Sequence, residues 1–302
     1  MKTNTMKNSL LLLLTAAIWG VAFVAQSVGM DYVGPFTFNA VRFLLGGTVL
    51  LPFLLRKPGA AQETAKRAET KEAKRARYRI TLTGGICCGL ALSTASLLQQ
   101  KGIQNTTVAK AGFITALYII IVPILGLFFR KKVRPLVWVS VALAVAGMYL
   151  LCIRESFSIS RGDFYVLLCA VVFSVHILVI DYFSPKADGI ALSCIQFYTS
   201  SIVCGAGMLL LETPSWQAIA SGWMPILYAG ILSCGVAYTL QIIGQKGMDP
   251  TVASLILSLE SVISLLAGWI LLDQTLIARE ICGCVLVFVA IILVQLPEKK
   301  KI

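Results

Sequence analysis

The stretch QKGIQNTTVA, Gln100 to Ala109, returns as QKGMDPTVA, Gln245 to Ala253. Each copy sits between two long apolar runs. The chain therefore writes the same polar junction twice, and the reading of that repetition decides the fold.

The runs around the junctions set the class. The 302 residues are 58% hydrophobic and only 13% charged, with a mean hydropathy of +0.84, whereas soluble domains carry about 25% charged residues. A helix needs about 20 apolar residues to cross a bilayer. Ten runs of roughly that length occur, at about 8–29, 34–55, 79–100, 107–129, 134–153, 162–183, 188–210, 222–244, 250–271 and 276–296. The expected fold is an all-α integral membrane protein of ten transmembrane helices. The first run follows Lys2 and Lys7 as a signal peptide would, but it is long, lacks a small-x-small cleavage site and precedes nine more runs, so it is read as retained.

A net charge of +12 suggests nucleic acid in a soluble chain, so the placement of the charges decides its meaning. With a cytoplasmic N-terminus, 20 of the 26 Lys and Arg residues fall in inside segments, nine of them within the polar connection from Arg56 to Arg79. Only Lys101, Arg154, Arg161 and Arg279 fall outside, while Arg42 and Lys110 lie within runs. The excess of inside cations places both termini in the cytoplasm. The charge then serves topology, with anionic lipid headgroups as a lesser use of the 56–79 loop, and no nucleic-acid partner is expected. The nine cysteines fall almost entirely within runs and lack ligand spacing, so neither a disulfide framework nor a metal site is expected.

The two junctions occupy equivalent places, after the third and after the eighth run, so each repeat holds five spans. Asn105 with Thr106 reads as the N-cap of the fourth helix, and Asp249 followed by Pro250 as the N-cap and first residue of the ninth. A repeat with an odd number of spans must insert its copies in opposite orientations. Residues 1–155, carrying the basic loop 56–79, form the first five-helix repeat, and residues 156–302 form the second, inverted one. Two inverted halves flank a site near the bilayer midplane.

The chain resembles the EamA-type transporters of the drug/metabolite transporter superfamily along nearly its whole length. The resemblance rests on the five-plus-five plan, on AAIWGVAFV (Ala16 to Val24) and on FNAVRFLLGG (Phe38 to Gly47). It rests also on TVAKAGFITALYIIIVPILG (Thr107 to Gly126) and TVASLILSLESVISLLAGWILLDQTL (Thr251 to Leu276). The family more often has Pro where Ser261 stands and Glu where Asp273 stands. Serine at 261 is expected to stiffen that helix.

Polar residues inside spans are the candidates for function, because ionisable groups in hydrocarbon are costly and face a bundle interior or a wet cavity. Glu260 lies about ten residues into its span, ~15 Å deep by helical rise, beyond the reach of snorkelling. It must be paired to a cation such as Lys110 or Arg42, protonated, or in a wet cavity. Arg42 and Lys110 lie within ~10 Å of one interface and suit either snorkelling or a cationic patch that draws a carboxylate. Tyr118 and Thr115 fall near the repeat-related position of Glu260. His176, the only histidine, reads as a proton relay or a hydrogen-bonded interior residue. Trp19 and Gln196, with Gln26 and Tyr238, complete the candidate lining.

The expected function is secondary transport of a small polar metabolite, an amino acid or similar, across the cytoplasmic membrane by alternating access, with export as the direction. Partners are that solute, the bilayer and a proton as coupling ion, with no cofactor. An integral-membrane enzyme acting on lipid or peptide is the alternative. It would need an activated nucleophile or an acid pair, which one histidine and one deep carboxylate do not supply. No Walker A phrase is present.

Overall fold

A computed structural model describes residues 2–55, 70–128, 133–152, 160–271 and 277–296. Much of the basic connection (56–69), Arg130 to Lys132, Arg154, Asp273 and Lys299 to Lys301 lie outside the described residues. Within them the chain is helical, with no strand. The helices are α1 (Lys2–Gly29), α2 (Pro35–Leu55), α3 (Lys71–Ile103), α4 (Val108–Ala116), α5 (Tyr118–Phe128), α6 (Pro135–Cys152), α7 (Arg161–Phe183) and α8 (Gly189–Leu211). They continue with α9 (Trp216–Ser221), α10 (Trp223–Leu227), a π-helical stretch (Tyr228–Tyr238), α11 (Thr239–Gln245), α12 (Pro250–Leu257), α13 (Glu260–Leu271) and α14 (Ala278–Gln295).

Eight helical segments among the described residues are long and apolar enough to cross a bilayer, Val108–Phe128, Trp223–Gln245 and Pro250–Leu271 each counting as one. The remaining two apolar helices, α6 and α14, are shorter in their apolar parts, Pro135–Gly147 and Ile281–Val294, and pack chiefly against each other. Elsewhere α2 packs on α8, α3 on α7 and α8, and α1 on α13. Leucine, isoleucine and phenylalanine cover much of the outer surface, as at Leu54, Leu55, Ile202 and Leu209 to Leu211, while Arg42, His176, Gln196 and Glu260 are buried. Apolar outside and polar inside is the arrangement a hydrocarbon solvent selects.

Local chemistry explains the helix starts. Asp249 accepts from the N–H groups of Thr251 and Val252 with Pro250 in the first turn, as the sequence predicts. At the other junction the cap is Thr107, whose hydroxyl accepts from the Lys110 N–H, rather than Asn105 or Thr106. Thr106 is engaged elsewhere, its hydroxyl donating to Asp163 at 2.6 Å. The third helix also departs from its expected start near residue 79. Thr70 caps it by accepting from Ala73, so Lys71, Lys74, Arg75, Arg77 and Arg79 ride on a helical extension that carries charge away from the apolar part.

Two helices are interrupted, and these breaks shape the centre. Between α4 and α5 the chain tightens at Leu117, whose N–H reaches back only three residues to Ile114, and Ile120 does the same to Leu117. Pro123, six residues on, withholds the donor that the Ile119 carbonyl would receive. Between α12 and α13 the break falls at Ser258 and Leu259. Here the hydroxyls of Ser254, Ser258, Ser261 and Ser264 each donate to the carbonyl three residues earlier, at 2.7–2.9 Å. Such back-bonding competes with the helical ladder and bends it. The expectation that Ser261 stiffens this helix is therefore corrected: a run of serines interrupts it without a proline, and Glu260 becomes the first residue of α13.

Close approach sets the position of that residue. A β-carbon on Gly20 of α1 would lie 2.4 Å from Ile263 and 2.9 Å from the Glu260 carbonyl. Only glycine lets α1 and α13 meet at this depth.

Candidate functional site

The broken helices and the π-helical stretch converge on one cavity of about 30 Å³. A cavity needs roughly 10–15 Å³ to hold a single water, so this one is wide enough for water. Its wall is drawn from both halves of the chain: Trp19, Phe23 and Gln26 on α1, Arg42 on α2, Gln99 on α3, Thr115 and Tyr118 beside the α4–α5 break. Phe173 and Ile177 on α7, Ser233 and Tyr238 on the π-helical stretch, Gln241 on α11, Leu257 and Glu260 at the α12–α13 break, and Ala22 on α1 complete it.

Glu260 is 4% exposed and accepts a hydrogen bond of 2.9 Å from the Tyr118 hydroxyl. Among the described residues no cation stands within 4.0 Å of its carboxylate, so the expected alternatives of pairing with Lys110 or Arg42 do not occur in this conformation. Arg42 is 2% exposed and therefore does not snorkel. One guanidinium nitrogen donates to Gln26 Oε1 at 3.0 Å, and the group lies 4.9 Å from the Phe43 ring centre and 5.5 Å from that of Phe38. Its Nε has no partner. Arginine cannot shed its proton in a protein, so α2 holds a buried cation supported by one amide and two π faces, with no carboxylate at ion-pair distance among the described residues.

Smaller contacts fix the frame. Gln26 is held by Gln100, which donates to its backbone carbonyl at 2.9 Å, and Gln99 donates to Thr115 at 3.2 Å. The Trp19 indole donates to the Ser233 carbonyl at 3.3 Å and packs on Tyr238, ring centres 4.5 Å apart. Of the residues singled out from the sequence, Glu260, Arg42, Tyr118, Thr115 and Trp19 line this one cavity. His176 and Gln196 do not. They pair with each other at 3.2 Å behind Tyr238, whose ring centre is 6.0 Å from that of His176. Lys110 is elsewhere, bonded to Asp163 at 3.3 Å near one end of the bundle.

Gln99, Ser233 and Gln241 were missed by sequence reading. Gln99 adjoins the first repeated phrase and Gln241 stands one helical turn before Gln245, which opens the second, so the flank of each phrase was the available signal.

The EamA-like transporter family matches this chain twice, over residues 6–153 and 160–296. The chain belongs to that family. This EamA-like chain is 29% identical over 286 residues to a protein of Archaeoglobus fulgidus named an uncharacterized transporter, covering 94% of the chain and 84% of that protein. It is 22% identical over 293 residues to the uncharacterized inner membrane transporter YedA of Escherichia coli K12, covering 93% and 88%. It is also 22% identical to the chloroplastic WAT1-related protein At3g02690 of Arabidopsis thaliana, covering 93% and 67%. A crystal structure covering 95% of the EamA-like chain and 96% of its own superposes with a TM-score of 0.74 at 18% identity, a likeness of fold. Multi-pass membrane architecture and membership of the drug/metabolite transporter superfamily follow.

Proposed function

We propose that this protein is a secondary transporter that exports a small polar metabolite, an amino acid or similar, across the cytoplasmic membrane by alternating access. The observation that carries the reading is the pair Arg42 and Glu260, of opposite sign, buried on one cavity and each without an ionic partner among the described residues. Buried charges are ordinarily paired, so two unpaired ones sharing a cavity suit a cargo that brings its own carboxylate and ammonium. Residues 1–155 and 156–302 are taken as inverted repeats whose broken helices meet at that cavity, the arrangement on which alternating access turns. Glu260 is the group that a proton occupies when cargo does not.

The test is counterflow in liposomes of purified protein, screening labelled amino and organic acids against unlabelled internal pools. At least one solute carrying a carboxylate should exchange well above protein-free liposomes. No acceleration across such a panel would overturn the proposal.

Both termini are placed in the cytoplasm, with ten crossings, because inside cations outnumber outside ones by 20 to 4. In a cysteine-free background, a cysteine replacing exposed Tyr78 should resist impermeant thiol reagents in intact cells and react after permeabilisation. Labelling in intact cells would reverse the orientation.

A further inference from the structure

Two carboxylates outside the cavity join the first half of the chain to the second, and both do so at the same end of the bundle. Antiparallel α7 and α8 are joined by the short turn at residues 184–188, so Asp163, in the first turn of α7, and Glu212, just past the end of α8, lie at one face. Asp163 is almost wholly buried, and it accepts from Thr106 Oγ1 at 2.6 Å, from Lys110 Nζ at 3.3 Å and from the Ser160 N–H at 2.9 Å. Beside it the Ser160 hydroxyl reaches the Asn105 carbonyl at 3.4 Å. The backbones touch as well, since a β-carbon on Gly162 would stand 2.8 Å from the Asn105 carbonyl.

Glu212 caps a helix to which it does not belong. Its two oxygens accept from the N–H groups of Phe36 and Thr37 at 2.9 and 2.8 Å and from the Thr37 hydroxyl at 2.6 Å. The first N–H groups of a helix have no partner within it, and α2 begins at Gly34-Pro35, which offers no capping side chain. Its cap is therefore supplied from about 175 residues away. At the opposite face Asp188 and Asp249 cap their own helices, while Asn8 donates to the Lys246 carbonyl at 3.1 Å and Arg134 to the Val294 carbonyl at 3.3 Å across the halves.

We infer that Asp163 and Glu212 are paired gate latches, which hold the cavity closed toward their own face and release together when the halves part there. The inference rests on the alternating-access reading. A cap supplied across halves suits this task, because the N–H groups and carboxylate it frees are hydrated as the face opens, whereas a buried apolar seal would lose its burial.

The experiment uses a cysteine-free variant with one cysteine at Ala22, which lines the cavity and is 1% exposed. Its reaction with an impermeant methanethiosulfonate is followed in vesicles of each orientation. Asp163→Asn and Glu212→Gln should each raise the rate from the latch face roughly tenfold, the weight of one charge-assisted contact in a two-state equilibrium, and together by more. Thr37→Val and Thr106→Val, which remove one bond from each latch, should give smaller increases in case the carboxylate variants fold poorly. Lys110→Asp should raise the rate too, and adding Asp163→Lys should lower it again. Labelling from the latch face that stays unchanged in folded variants, while the opposite face reacts, overturns the latches alone. A cysteine at 22 that reacts from neither face in any variant overturns alternating access around this cavity and the latches with it.

Discussion

Glu260→Gln is expected to abolish concentrative transport and remove its pH dependence while leaving the protein folded. The amide keeps the shape of the side chain and can still accept from the Tyr118 hydroxyl, 2.9 Å away in the native site. What it loses is the negative charge and the ability to exchange a proton. A charge-assisted contact with a substrate ammonium is worth about 1.5–3 kcal/mol, so uptake into liposomes at limiting substrate should fall by about 10- to 100-fold. Melting temperature and expression should stay near the native values, because no cation is stranded: none stands within ion-pair distance of Glu260 among the described residues. Tyr118→Phe, which removes one neutral donor, should cost transport several-fold less. A folded Glu260→Gln protein with full, pH-dependent transport would sink this role, and the cargo site would have to be sought around Arg42 instead.

Arg42→Met is expected to move function and stability in opposite directions. The guanidinium is buried at 2% exposure with one amide acceptor and two aromatic faces, and its unpartnered Nε carries the cost of desolvation without return. Replacing buried ionic groups by apolar ones of similar volume is often neutral or stabilising by about 1–4 kcal/mol. The melting temperature should therefore hold or rise by a few degrees, while transport of any carboxylate-bearing solute falls to background. Arg42→Lys should fall between, with a raised apparent KM, because a point charge cannot reproduce the planar fork against a carboxylate. If Arg42→Met instead unfolds the protein, the arginine is a structural strut and the carboxylate must bind elsewhere.

Much of the fold was legible because hydrocarbon imposes a simple grammar. Apolar runs, the cap formed by Asp249 and Pro250, and the doubled junction need only local sequence. The breaks were not legible, although the serines at 254, 258, 261 and 264 that produce one of them were in plain view. A serine in a span can face a neighbour or bond its own backbone, and composition does not say which. The site was legible where depth alone decides, as at Glu260, whose burial follows from counting residues into the span. It was not legible where partners lie far apart in the chain. Lys110 looked like part of a cargo mouth because Asp163, 53 residues on, is found only by folding. Glu212 drew no notice, since nothing near it hints at the bare helix start it serves.

The π-helical stretch Tyr228–Tyr238 has a consequence for how such a chain can diversify. Widened turns of this kind take up extra residues that an α-helix would not accommodate, and they recur at functional sites. Downstream of the stretch, Gln241 faces the cavity, and Tyr238 closes it from the last widened turn. Loss of one residue from the stretch, such as half-exposed Leu232, would be absorbed as a widened turn tightens to an α-helical one, leaving Trp223 and Gln241 near their present relative register. A single codon deletion here is thus expected to leave the same side chains on the cavity. Length polymorphism at this one place, unlike substitution in the lining, is a change that descendants of this chain can carry while keeping the site.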